Sequence, residues 1–212
     1  MESYYIKDVT PLPELNTQIN GYLLIHKISM TKFSAVYEAL HSATGQKVAV
    51  KFIFRYEGRT AAIEREIAII CRLHHQNIIE HIDHFVYKEF TVLVTPFYYG
   101  GNLFNMIDRE HHKGIDPNSA LSITRQCLSA LNYLHSQNIL HLDIKPENFL
   151  VENPNVQNPV IVLADFGLSR EISHPGSYRG GTRGYMSPED IYDWPVFLSA
   201  DILALEYPFI NF

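Results

Sequence analysis

The amino-acid sequence predicts an α+β fold in two lobes, the first rich in strands and the second mainly helical. Three observations carry this reading. Residues 21 to 54 run as β-branched and aromatic segments broken by a turn. From Asn102 the apolar residues recur mostly at helical spacing. The change of pattern falls near residues 96 to 101. The 212 residues are 46% hydrophobic, which provides for a sizeable core in one large domain or two small lobes.

Each element follows in order. Residues 1 to 20 hold two prolines and little periodicity and read as a poorly ordered N-terminal arm. The first lobe is assigned to residues 21 to 96 and the second to residues 97 to 212. "YLLIHKI", "FSAVYEAL" and "QKVAVKFIF" predict strands, with "HSATG" as a turn. "TAAIEREIAIICRL" predicts a helix, because Ile63, Ile67, Ile70 and Leu73 recur at helical spacing. "IIEHIDHFVYKEFTVLVTPF" holds two more strands. Residues 116 to 136 form the longest predicted helix, with Ile123, Cys127, Leu131 and Leu134 on one face and Asp116-Pro117 at its start. "FLVE" and "VIVLA" read as a hairpin around "NPNVQNP".

Composition excludes several function classes. The formal charge is -6, from 17 basic and 23 acidic residues, and no Lys/Arg block stands out, so nucleic-acid binding is not expected. No apolar run approaches membrane-spanning length, and the start lacks the layout of a signal peptide. Cys71 and Cys127 lie in apolar helical patterns and read as buried, reduced thiols of a cytoplasmic or nuclear protein. His74, His75, His81, His84, His111 and His112 repeat no ligand spacing, which argues against a zinc site.

The polar residues fall into five groups. Val48-Ala49-Val50-Lys51 sits on a predicted strand, and Glu66 on the helix after it. "HLDIKPEN", His141 to Asn148, follows the longest helix. Asp165-Phe166-Gly167 follows a strand, and "GTRGYMSPE" runs from Gly181 to Glu189. Any one group is weak evidence, but five in this order and spacing are specific. The chain resembles the eukaryotic protein kinases over about residues 20 to 192.

The resemblance implies a bilobal protein-kinase-like fold, with ATP and Mg²⁺ as cofactors and a protein substrate carrying a Ser/Thr acceptor. Phosphoryl transfer needs positioning and charge neutralisation more than covalent chemistry. By resemblance Lys51 contacts the α- and β-phosphates and Glu66 holds that lysine. Asp165 and Asn148 hold Mg²⁺. Asp143 receives or orients the proton of the attacking hydroxyl, and Lys145 contacts the transferred phosphate. Lys145, its "KPEN" context and Thr182 match the serine/threonine type. Val36, Ala49 and Leu150 flank the adenine, Thr95 is the gatekeeper, and Pro96 and Tyr98 lie in the hinge, where Tyr98 supplies an N–H. His75 matches a structural position of the family.

Three departures stand beside the match. Ser29-Met30-Thr31-Lys32-Phe33-Ser34-Ala35-Val36 occupies the place of the glycine-rich loop without any of its three glycines, so weaker ATP binding is expected. Leu142 replaces the arginine that pairs with an activation-segment phosphate, so activation should not depend on that clamp. The large lobe reads as incomplete: "SADILAL" resembles the start of its central helix, with Asp201 as an anchor, and is expected to stop near Tyr207-Pro208. Ile202, Leu203, Leu205 and Phe209 would then lack partners, which predicts low stability, or association with a partner or another copy. The sequence therefore reads as a protein serine/threonine kinase with a shortened catalytic domain. A pseudokinase or scaffold module is the competing reading, favoured by the missing glycines and helices. A non-kinase nucleotide-binding protein is disfavoured, because no Walker-type or dinucleotide motif is present.

Overall fold

The computed structural model describes residues 11–110, 115–152, 159–172, 180–192 and 195–210. The chain divides into two compact units, Met1–Cys71 with Glu80–Phe97, and Arg72–Ile79 with Tyr98–Phe212.

The first unit is built on one antiparallel sheet. Its strands are β1 (Gln18–Ile19), β2 (Tyr22–Met30), β3 (Ser34–His41), β4 (Lys47–Phe54), β5 (Asp83–Tyr87) and β6 (Phe90–Pro96), in the spatial order β1-β2-β3-β4-β6-β5. Alternation along β4 sends Val48, Val50 and Phe52 into a core with Leu24, Tyr37, Phe90, Val92 and Val94. The opposite face of β4 carries Ala49 and Lys51. Helix α1 (Thr60–Ile70) buries Ile63, Glu66, Ile67 and Ile70 at i, i+3, i+4, i+7 spacing. The helix stops at Ile70, three residues before the sequence pattern does, because Cys71 and Arg72 turn the chain.

Two expectations change here. Residues 11–20 are not a loose arm: Ile19 pairs with Tyr22 and is buried, and the carbonyl of Pro13 accepts the Tyr37 hydroxyl at 3.1 Å. Cys71 is not in the core. Lying just past the helix end, it is half-buried, whereas Cys127 is fully buried.

The second unit is mainly helical: α2 (Leu103–Glu110), α3 (Pro117–Ser136), α4 (Pro188–Ile191) and α5 (Ser199–Ile210), with a 3₁₀ turn at Pro146–Asn148. Two small antiparallel pairs hold its loops. Strand β7 (Ile139–Leu140) pairs with β10 (Arg170–Glu171), and β8 (Phe149–Val151) with β9 (Ile161–Leu163). Helix α3 starts as its sequence predicts. The Asp116 carboxylate accepts from the N–H groups of Asn118 and Ser119 at 2.9 and 3.3 Å, with Pro117 at the first helical position. Most of the loop between β8 and β9, residues 153–158, lies outside the described residues. Asn77 acts as a strut: its amide nitrogen donates to the Ile161 carbonyl at 2.8 Å and to Gln126 at 3.1 Å, which ties Arg72–Ile79 to this unit.

Helix α5 does not stop at Tyr207-Pro208 but runs to Ile210. Pro208 falls in the last turn and forfeits the intrahelical bond its N–H would make, yet the helix continues two residues beyond it. Leu205 is buried at 4% exposure, contrary to the expectation that it lacks partners, and Ala200 and Ala204 are buried with it. Leu203 is exposed, as are Ile191, Tyr192 and Phe197, so this unit does present apolar surface. The side chain of Phe209 lies outside the described residues. Among the described residues, no helix is long and apolar enough to cross a membrane.

Candidate active site

In the first unit, Lys51 Nζ lies 2.9 Å from Glu66 Oε1. The Glu66 side chain is only 5% exposed, so its charge needs this partner. The strand register gathers further predicted residues on one face of the sheet. Val36 stands opposite Lys51, and Ala49 opposite Thr95, while Ala49 and Lys51 are two residues apart on β4. Pro96 ends β6, opposite Val48.

The turn between β2 and β3 is where the glycines are missing. Here Thr31 organises the chain. Its Oγ1 accepts from the N–H groups of Phe33 and Ser34 at 3.1 and 3.0 Å, and it lies 3.1 Å from Ser34 Oγ. The Thr31 N–H donates to the Ser34 carbonyl at 2.8 Å. Two backbone donors that a glycine-rich loop turns toward phosphate are therefore satisfied by a side chain. Phe33 folds back on its own unit, stacking on Tyr56 at 5.8 Å and lying under Arg59 at 4.4 Å.

In the second unit, Asp143, Lys145, Asn148 and Thr182 form one hydrogen-bonded cluster. Lys145 Nζ lies 2.8 Å from Asp143 Oδ2 and donates to Thr182 Oγ1 at 2.6 Å. Thr182 in turn donates to Asp143 Oδ1 at 2.6 Å. Asn148 Nδ2 donates to the Asp143 carbonyl at 2.7 Å and to its carboxylate at 2.9 Å. Burial pushes the Asp143 carboxyl up. The hydrogen bonds from Lys145, Thr182 and Asn148, with the lysine charge, outweigh it and hold the group below the usual carboxylate range. Asp143 is therefore ionised at neutral pH.

The loop that carries this cluster is held from beneath. His141 is fully buried. Its Nε2 donates to the Ala164 carbonyl at 3.0 Å, its Nδ1 accepts the Asp143 N–H at 3.3 Å, and its ring meets Phe166 edge-on at 5.1 Å. The network assigns the proton to Nε2. The Asp201 carboxylate accepts the backbone N–H groups of His141 and Leu142, both at 2.9 Å, and contacts His135 Nε2 at 3.1 Å. These bonds hold Leu142 at φ +64°, a conformation that costs a non-glycine residue about 1–3 kcal/mol. The Leu142 side chain packs against the cluster of Leu140, Val196 and Ala200, so it offers nothing polar to a phosphate.

Asp165 follows β9, is exposed, and also has a positive φ, +62°. The Ala164 N–H donates to the Asn148 carbonyl at 2.8 Å, which places the Asp165 segment beside Asn148. The donor chemistry fits Mg²⁺: a carboxylate at Asp165, and at Asn148 an amide whose nitrogen is committed to Asp143, leaving its side-chain oxygen as the ligand atom. Leu150 and Tyr98 belong to this unit as well, and Leu150 bridges Asn102.

Sequence reasoning marked Thr182 only as a sign of the serine/threonine type, and the structure makes it a member of the cluster. His141 and Asn77 were not singled out for their hydrogen bonds, since a buried side-chain-to-backbone bond leaves no periodic signal. His75 was read as structural. It stacks on Tyr133 at 4.9 Å, its Nδ1 accepts the Asn77 N–H at 3.1 Å, and burial lowers its pKa.

A carboxylate clamped by a lysine and a threonine beside an asparagine in the second unit, and a buried lysine–glutamate pair in the first, are residue sets of the protein kinase fold. The protein kinase domain model matches residues 22–207, and the chain belongs to the protein kinase family, on its serine/threonine side. It is 31% identical over 193 residues to death-associated protein kinase 2 of Mus musculus, covering 87% of this chain and 52% of that protein. It is 40% identical over 169 residues to the calcium/calmodulin-dependent protein kinase cmkB of Emericella nidulans, covering 76% of this chain and 41% of that one. It is 33% identical over 194 residues to the serine/threonine-protein kinase TIO of Arabidopsis thaliana, covering 88% of this chain and 14% of that protein. The chain thus spans about half the length, or less, of these relatives.

Proposed function

We propose that the protein transfers the γ-phosphoryl group of Mg·ATP to a serine or threonine hydroxyl of a protein. The observation that carries this reading is the Asp143 cluster. It holds an ionised carboxylate, a lysine and a threonine hydroxyl within single hydrogen bonds of one another. Asp143 orients the acceptor hydroxyl and takes its proton, and its lowered pKa keeps it ionised for that task. Lys145 offers positive charge to the phosphoryl group in transit. Thr182 holds both in register. Lys51, oriented by Glu66, meets the α- and β-phosphates. Val36, Ala49, Thr95 and Pro96 of the first unit are assigned to adenine by the resemblance, as are Tyr98 and Leu150 of the second. Asp165 and Asn148 hold Mg²⁺, which when bound screens the phosphate oxygens.

The relatives' names support kinase activity in general, and substrates and partners remain part of this proposal. Exposed Ile191, Tyr192, Phe197 and Leu203 favour a protein partner or self-association at the second unit. The competing reading, a kinase-fold binding module with little turnover, draws on the β2–β3 turn, where Thr31 occupies two N–H groups.

The test is transfer of labelled phosphate from Mg·ATP to a generic basic protein, with Asp165→Ala as control. Incorporation by the parent and its loss in the variant is the expected result. Equal incorporation by both, or none by the parent, overturns the reading.

A further inference from the structure

Away from the kinase residues, the first unit brings together three side chains that are scattered in sequence: Cys71 just past the end of α1, His81 before β5, and His84 within β5. His84 Nδ1 lies 3.0 Å from His81 Nε2 and 3.9 Å from Cys71 Sγ, and all three ligand atoms lie within 4.8 Å of one another. We propose that Cys71, His81 and His84 form a site for a single Zn²⁺ ion, with the fourth position open to water.

The donor set and the spacing both favour zinc. Thiolate and imidazole are its preferred ligands, at about 2.3 Å for sulfur and about 2.0–2.1 Å for nitrogen. A tetrahedral centre built from those bonds separates two nitrogens by about 3.3 Å and a sulfur from a nitrogen by about 3.5 Å. The two measured separations fall within roughly half an ångström of these values, one shorter and one longer. The third separation, Cys71 to His81, is within 4.8 Å, and closing the set calls on rotamer adjustment of half-buried Cys71 and exposed His84. The geometry also explains why sequence spacing hides the site. His81 and His84 are close neighbours along the chain, but Cys71 reaches them only because α1 ends beside the strand that follows.

Binding requires the Cys71 thiol to release its proton to solvent, and both imidazoles to present a lone pair in place of the bond they share. Burial raises the Cys71 pKa and lowers that of His81, so the first step is opposed and the second helped. Bound metal would tie the C-terminal end of α1, the helix that carries Glu66, to β5 of the same unit.

The experiment is titration of the reduced full chain with Co²⁺, followed by displacement with Zn²⁺. The expected result is one Co²⁺ per chain, a sulfur-to-cobalt charge-transfer band in the near ultraviolet, d–d bands of tetrahedral strength, and loss of all of them on adding one equivalent of Zn²⁺. Cys71→Ser should abolish the charge-transfer band. His84→Gln should weaken Zn²⁺ affinity about 100-fold, judged by competition with a chromophoric chelator. His26→Gln, an exposed histidine of β2, should leave affinity unchanged, and thermal unfolding of each variant checks that it is folded. Absence of the band in the parent, or a band and an affinity that survive in Cys71→Ser, overturns the proposal. Weak binding lost equally in His26→Gln identifies adventitious binding and overturns it too.

Discussion

The loop from His141 to Asn148 and the turn from Ser29 to Val36 both occupy places where the family does its chemistry, and they have diverged in opposite ways. The loop keeps its polar side chains and accepts an awkward backbone to place them. Leu142 sits at positive φ, held by buried Asp201, and His141 bonds the Ala164 carbonyl just before Asp165, which is also at positive φ. The turn has lost its glycines, and its backbone donors have found a side chain, Thr31. The contrast separates two requirements. Acid–base chemistry needs particular groups and tolerates a changed neighbour, so Leu142 in place of an arginine leaves the Asp143 cluster intact. Phosphate cradling needs exposed N–H groups and close backbone approach, which a hydroxyl-bearing residue opposes from within. For the proposed kinase activity this means a complete acid–base cluster together with a turn that holds the nucleotide less tightly.

The largest effect that would break the comparison is expected at Asp143. Asp143→Ala should lower kcat by about 10²–10⁴, while ATP affinity measured by calorimetry changes little. A variant as active as the parent removes Asp143 from the chemistry.

Next comes the buried pair. Lys51→Met leaves the Glu66 carboxylate without this partner and should destabilise the fold by about 3 kcal/mol as well as cutting phosphotransfer. The double variant Lys51→Met with Glu66→Leu should recover much of that stability in chemical denaturation but none of the activity. Recovery of activity would show that the pair is structural only.

Thr182→Ala sharpens the picture of the cluster. Loss of its bond to Asp143 should cost about 1 kcal/mol near neutral pH. The sign with pH follows from the lowered Asp143 pKa. Its stabilising contribution is complete above the unfolded carboxylate value of about 3.9 and is lost as pH falls through the lower folded value. Without Thr182 the folded value moves up toward the ordinary one. The difference in thermal midpoint between parent and variant should therefore narrow as pH falls below about 4. A gap independent of pH would mean that Thr182 does not act through Asp143.

The smallest effect is expected in the turn. Thr31→Gly releases the Phe33 and Ser34 N–H groups and removes a Cβ, so Mg·ATP affinity should rise by about tenfold or less, roughly one hydrogen bond's worth. Affinity that is unchanged or weaker shows that the turn does not contact phosphate.

Much of this was legible in the residues themselves. The period-2 runs of β2 to β6 and the Asp116-Pro117 start of α3 locate those elements, because burial on one sheet face and helix capping leave local signatures. The lysine, glutamate, aspartate and asparagine positions follow from motif order. Other features depend on the fold. Thr182 joins Asp143 from 39 positions away. Cys71 looks like the next member of an apolar helical stripe, yet it falls past the helix end and meets two histidines. The extension of α5 through Pro208 runs against the local rule that a proline outside the first turn ends a helix. Side chains that act by bonding distant backbone, such as His141 and Asn77, carry no spacing that a sequence displays.

The proposed activity combines a complete Asp143 cluster with a β2–β3 turn whose N–H groups are already occupied. The most direct test is the initial rate of phosphotransfer as a function of Mg·ATP concentration, carried to several millimolar. The expected result is a saturable rate with kcat of about 1–100 s⁻¹ and a KM for ATP near or above about 1 mM. A KM in the low micromolar range would contradict the loosened grip, and a rate at saturation no higher than that of Asp143→Ala would contradict the preserved chemistry.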